Sequence, residues 1–100
     1  MGHESCGAVT AAMSVVDKNA QFPGAIGSMI EPIIPAVLEA RECEGDPVEN
    51  AVRANVRRVV RGLREASAAI LTQPLLDGTL KIVGAYYNLA SGEVDFFDQL

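Results

Sequence analysis

A chain of 100 residues, 49% hydrophobic and 21% charged, has room for one small core and lies outside the composition of disordered proteins. Thirteen acidic residues against eight basic ones leave a net charge of −5, which argues against nucleic acid as a partner. No run of 18 apolar residues is present to span a membrane. The opening Met1–Val9 lacks a basic stretch followed by an apolar one, so no secretory signal is visible and a cytoplasmic location is expected. Two cysteines, Cys6 and Cys43, are too few for a disulfide scaffold.

The first ordered segment is expected from Gly7 to about Lys18, where Val9, Ala11, Ala12, Met13, Val15 and Val16 suit a buried helix of small side chains. Residues 19–24 read as a loop, with Gly27 and Ser28 extending it. A second helix is expected from about Pro32 to Cys43, stopped by Gly45. Ser28 and Glu31 have the spacing of a capping box before it, and Ile33, Ile34, Val37, Leu38 and Ala40 give it an apolar face.

The third helix has the clearest local logic. Asp46 can cap it, Pro47 suits its first position and Glu49 its third. Val52, Val56, Val59, Leu63, Ala66 and Ile70 recur at helical spacing and should face a core. Arg53, Arg57, Arg61 and Arg64 form a second stripe, read as a solvated face or a salt-bridge network between subunits rather than a nucleic-acid surface.

Pro74 is expected to open a short helical turn that ends at Asp77-Gly78. Leu80–Tyr87 then reads as a strand, residues 90–93 as a turn, and Val94–Phe97 as the returning strand of an antiparallel hairpin. Tyr86 and Tyr87 fall on opposite strand faces, one of them toward the core. The pattern is α/β. Two adjacent strands are too few for the sheet that three helices would cover, so either more strands precede residue 1 or a partner supplies the missing surface. Exposed strand edges of this kind invite association.

His3 and Cys6 carry the most distinctive chemistry. Imidazole nitrogen and thiolate sulfur are common zinc donors. At the end of a strand and the first turn of a helix, both could point at one ion, with the helix amino terminus favouring negative charge on Cys6. A zinc site needs three or four donors, and the chain has no other histidine. Cys43 is a possible third ligand, but its place after a regular helix favours an ordinary structural residue. Glu4 lies between the pair and is read as solvated or salt-bridged rather than as a general base.

Gly2-His3-Glu4-Ser5-Cys6-Gly7-Ala8-Val9, followed by Ala11-Ala12, resembles the second zinc-ligand motif of β-class carbonic anhydrases. The resemblance continues through Glu31-Pro32-Ile33, Val52–Val56, Gly78–Tyr87 and Leu89–Val94, and so spans nearly the whole chain. It implies a zinc lyase that interconverts carbon dioxide and bicarbonate, with His3 and Cys6 as two metal ligands and one Zn2+ per complete site. The family's earlier Cys-x-Asp-Ser-Arg motif supplies another zinc cysteine and an aspartate–arginine pair, and it does not occur here. The resemblance therefore implies an incomplete domain over residues 1–100, equivalent to the carboxy-terminal part of the enzyme. Its core sheet would lack the preceding strands, and its completion would need a missing amino-terminal segment or a homo-oligomer. No catalytic side chain is assigned within the chain. The alternative is a noncatalytic α/β interaction or assembly module derived from the enzyme.

Overall fold

The computed structural model describes residues 1–65 and 69–97. Its longest helix follows the local signals closely. Asp46 has extended backbone angles, and its carboxylate accepts from the Val48 N–H at 2.9 Å. This satisfies a donor that the first helical turn leaves free. Pro47 opens the helix and Glu49 lies in its first turn, where negative charge complements the helix dipole. Arg61 and Arg64 lie in the last turn, where positive charge does. We label this helix, Pro47–Arg64, α4.

Before it come β1 (Gly2–His3), α1 (Gly7–Lys18), α2 (Gly24–Ile30) and, after a 3-10 turn at Glu31–Ile33, α3 (Ile34–Ala40). After it come α5 (Ala69–Asp77), β2 (Gly84–Tyr87) and β3 (Val94–Phe97). The first helix has the expected bounds, and Asn19 closes it in the left-handed region at φ 52°, its N–H donating to the Ser14 carbonyl.

The expected loop after residue 19 is helical from Gly24 onward. Gly24 enters at φ 68°, and Gly27 lies against the Phe22 carbonyl, where a Cβ would collide. Gly27 is thus required by close packing, not by a turn. Pro32 and Pro35 divide what was expected as one helix from Pro32 to Cys43. Proline lacks an N–H and disfavours α geometry in the preceding residue, and a 3-10 joint accommodates this. Ser28 lies inside α2, so no capping box forms. The helix ends at Ala40, leaving Cys43 exposed beyond it.

The core is built from small side chains. Val9 and Ala12 of α1, Ala36, Val37 and Ala40 of α3, and Ala51 and Val52 of α4 meet Ile30 and Tyr86. Small residues let three helices approach closely, so dispersion contacts accumulate without bulk.

The sheet is mixed, in the order β1-β2-β3. Gly2 and His3 pair in parallel with Tyr86 and Tyr87, and β2 pairs antiparallel with β3, from Gly84 opposite Phe97 to Tyr87 opposite Val94. The hairpin matches expectation. The strand predicted from Leu80 is regular only from Gly84. In the register of β2 with β1 and β3, residues 80–83 have no ladder partner among the described residues.

Two further expectations change. Pro74 lies inside α5 rather than at its start, because Ala69–Gln73 extend the helix backwards. The apolar stripe of α4 is core only in its first half. Val52 and Val56 are buried, but Val59 and Leu63 are 55% and 42% exposed, and Ile70 on α5 is 81% exposed. Leu63 is thus exposed, as are Arg57 and Arg61. Ala66 lies outside the described residues. No helix among the described residues is long and apolar enough to cross a membrane.

Candidate metal centre

His3 ends β1 and Cys6 caps α1, with the reversal between them made by Glu4 and Ser5. Ser5 takes a positive φ of 56°. Such a conformation is costly outside glycine and persists where its surroundings hold it. Here β1 holds one side and α1 the other. Gly2 packs directly on α4, since a Cβ there would lie 2.5 Å from Val52 Cγ1 and 2.9 Å from Val56 Cγ2. The Cys6 carbonyl receives both the N–H and the hydroxyl of Thr10, each at 3.0 Å, which fixes the first turn of α1.

The imidazole of His3 is exposed, and its Nδ1 lies 3.0 Å from the Glu4 carbonyl oxygen. A carbonyl only accepts, so Nδ1 carries the hydrogen. In the neutral ring Nε2 then keeps its lone pair, the state a metal ligand needs. Cys6 is a free, half-buried thiol at the amino terminus of α1. Both residues open onto one groove of about 410 Å³, floored by Val56, Val59, Val60 and Leu63 of α4 and flanked by Ile82 and Val83.

These two donors have the chemistry of a zinc pair but make up half of a tetrahedral set. Among the described residues, no group of three or more histidine, cysteine, aspartate or glutamate side chains comes together to hold a metal. Cys43 is exposed past the end of α3 and does not line this groove.

Glu4 departs from its expected role. Its carboxylate accepts the N–H groups of Leu89 at 3.0 Å and Ala90 at 3.3 Å, and its own N–H donates to the Tyr87 carbonyl at 2.8 Å. It is neither merely solvated nor salt-bridged. The chain contacts it makes lie 85 and 86 residues away, so no local pattern could have revealed them.

A second polar cluster was also not foreseen as such. Arg53, from the arginine stripe, pairs with Glu49 at 3.1 Å and with Asp95 at 2.8 Å. Its guanidinium lies 4.5 Å from the Tyr86 ring centroid and 5.0 Å from that of Phe97. It clamps α4 onto the β2–β3 hairpin through charge and aromatic faces together. Burial works against its charge, but the hydrogen bonds it donates to Asp95 and Glu49 outweigh this and raise its pKa. Burial also raises the pKa of Tyr86, reinforced by the negative charges of Glu49 and Glu4. The Glu49–Arg53 spacing was visible in the sequence; the aromatic partners were not. Arg57 lies 5.2 Å from the Phe97 centroid, and Arg64 donates to the Ile82 carbonyl at 2.6 Å.

Comparison with known proteins bears on family and fold. The carbonic anhydrase family matches residues 1–94. A carbonic anhydrase of Mycolicibacterium smegmatis is 35% identical over 100 residues, covering 100% of this chain and 48% of the relative. Carbonic anhydrase 2 of Mycobacterium tuberculosis is 31% identical, with the same coverage. Among solved structures, the β-carbonic anhydrase CcaA superimposes with a TM-score of 0.73 at 24% identity, over 99% of this chain and 49% of that one. A structure from a study of two tetrameric β-carbonic anhydrases of the filamentous ascomycete Sordaria macrospora gives 0.70 at 17% identity, over 96% and 49%. At these identities the superpositions speak for the fold. The chain spans about half the length of the curated relatives it matches.

Proposed function

Because the chain belongs to the β-carbonic anhydrase family, we propose that residues 1–100 act as the His-x-x-Cys half of a zinc lyase that interconverts carbon dioxide and bicarbonate. The observation that carries this reading is the His3–Cys6 pair. Nε2 of His3 is left as a donor by the Nδ1 hydrogen bond, and Cys6, at the head of α1, lines the same groove. His3 Nε2 and Cys6 Sγ would hold the ion. Zinc, when bound, supplies the Lewis acidity that activates water toward carbon dioxide near neutral pH.

The remaining donors come from a segment that this chain does not contain. The groove beside the pair is the place for it. Among the described residues β1 has an unpaired edge, and the apolar floor that begins under Gly2 continues past it as Val59 and Leu63. A strand carrying the family's Cys-x-Asp-Ser-Arg motif would pair along that edge and bury that floor. It would bring the third ligand and the aspartate–arginine pair to the mouth of the groove. The segment can come from the same polypeptide or from another subunit of an oligomer.

The test compares metal content and carbon dioxide hydration for residues 1–100 alone and with a segment bearing that motif. The chain alone is expected to bind zinc weakly and turn over slowly. Adding the segment should raise both, Cys6→Ser should abolish the gain, and Cys43→Ser should leave it. Full zinc occupancy with rapid turnover by the isolated chain would overturn the account of the missing donors. The two-donor count also favours a second reading, a noncatalytic assembly module. Tight association with the segment but no metal uptake and no turnover would establish that reading instead.

A further inference from the structure

We infer that Glu4 is a positioning residue for the metal pair, acting through the imidazole of its neighbour His3. The inference rests on the metal reading above and adds a residue to it. Glu4 is held at three points. Its N–H donates to the Tyr87 carbonyl at 2.8 Å, which extends the β1–β2 pairing by one bond. Its carboxylate accepts from Leu89 and Ala90 at 3.0 and 3.3 Å, which ties the strand end to the β2–β3 turn. Its carbonyl, oriented by those two anchors, accepts the Nδ1 hydrogen of His3 at 3.0 Å.

The receiving turn is itself well braced. Asn88 Oδ1 accepts from Ala90 and Ser91 at 2.9 and 3.1 Å, the Ser91 hydroxyl accepts from Glu93, and the Asn88 N–H donates to the Glu93 carbonyl. The carboxylate therefore grips a fixed object. With the Glu4 peptide fixed in this way, its carbonyl selects the Nδ1–H tautomer of His3 and leaves Nε2 for the metal. The same anchorage steadies the left-handed Ser5 that sets Cys6 relative to His3. Hydrogen bonds of this outer kind raise ligand basicity and fix ring orientation.

The experiment uses the 100-residue chain as wild type, Glu4→Ala, Glu4→Gln and Cys6→Ser. Two readouts are taken: the His3 tautomer from ring nitrogen chemical shifts without metal, and cobalt(II) affinity from thiolate-to-cobalt absorption. Thermal melts of the metal-free proteins show which variants remain folded. Wild type should hold His3 as the Nδ1–H tautomer. Glu4→Ala should release it toward the Nε2–H form that free imidazole side chains favour, and weaken cobalt binding by about tenfold. Glu4→Gln keeps a side-chain oxygen for Leu89 and Ala90 and should restore both readouts, which a general loss of stability would not predict. An unchanged tautomer in Glu4→Ala, or a Glu4→Gln protein no better than Glu4→Ala, overturns the inference. Cobalt absorption that survives Cys6→Ser overturns the metal reading, while the metal-free tautomer still decides whether Glu4 orients His3.

Discussion

The two halves of α4 carry the same apolar stripe and meet different fates. Val52 and Val56 lie under β1 and β2 and are 2% and 7% exposed; Val59 and Leu63 continue the same face and are 55% and 42% exposed. On a helix, positions 52, 56, 59 and 63 point in nearly one direction. The difference is therefore not in the helix but in what lies over it. Gly2 sits on Val52 and Val56, whereas Val59 and Leu63 line the open groove. A helix can advertise a buried face over its whole length, but burial also needs a partner surface, which periodicity does not encode.

This contrast can be broken by matched substitutions. Val52→Asp places an unpaired carboxylate in the core and should destabilise the chain by about 4 kcal/mol or more, enough to unfold a domain of this size. Val59→Asp should change stability by no more than about 0.5 kcal/mol, because the side chain can reach water. Its effect should appear instead as weaker binding of the completing segment. Urea denaturation followed by circular dichroism checks the first pair of values. Equal losses at the two positions would show that Val59 is covered in solution.

The arginine stripe sharpens the comparison at smaller scale. Arg53, in the covered half, has two carboxylate partners and two aromatic faces; Arg57, one turn on, is exposed and has the Phe97 ring within reach. Arg53→Met should cost about 1–2 kcal/mol, from ion pairs worth up to about 1 kcal/mol each and ring contacts worth about 0.5–1 kcal/mol. Arg57→Met should cost less. Part of the Arg53 loss should vanish in high salt, since Asp95 is 60% exposed and its pairing is screened. A larger loss at Arg57 would reverse the order.

The smallest effect concerns pH. Burial, then the charges of Glu49 and Glu4, raise the pKa of Tyr86 in the folded protein. In the unfolded chain a tyrosine releases its proton near pH 10. Above that pH the unfolded state therefore binds fewer protons than the folded one, so stability falls as pH rises toward the folded pKa. Below it, Tyr86 contributes no pH dependence. Tyr86→Phe should flatten this alkaline decline relative to wild type in urea titrations across the range.

How much was legible follows from how local each signal is. Asp46, Pro47 and Glu49 act within one turn of helix, and α4 begins where they place it. The Ser91-Gly92 turn likewise joins the two strands expected around it. The helix at Gly24–Ile30 was hidden because its glycines look like loop residues, while Gly27 answers to the Phe22 carbonyl packed against it. The His3–Cys6 pair was visible as chemistry, but the latch on it was not: Glu4 meets Leu89 and Ala90 only after the chain has returned.

By itself the sequence determined the bounds of α1, the start of α4, the hairpin, the family and the residue pair with metal-binding chemistry. Each rests on caps, turns, periodicity or a motif that acts over a few neighbouring residues. Tertiary structure decided which half of the α4 stripe became core, that a 3-10 turn at Glu31–Ile33 and a helix ending at Ala40 replace the single helix expected from Pro32 to Cys43, and that Leu80–Val83 have no ladder partner among the described residues. It also turned Glu4 and Arg53 from surface charges into braces between β1, α4 and the hairpin. Those outcomes depend on groups that are distant in the chain and close in space, and on whether a partner surface is there to meet them.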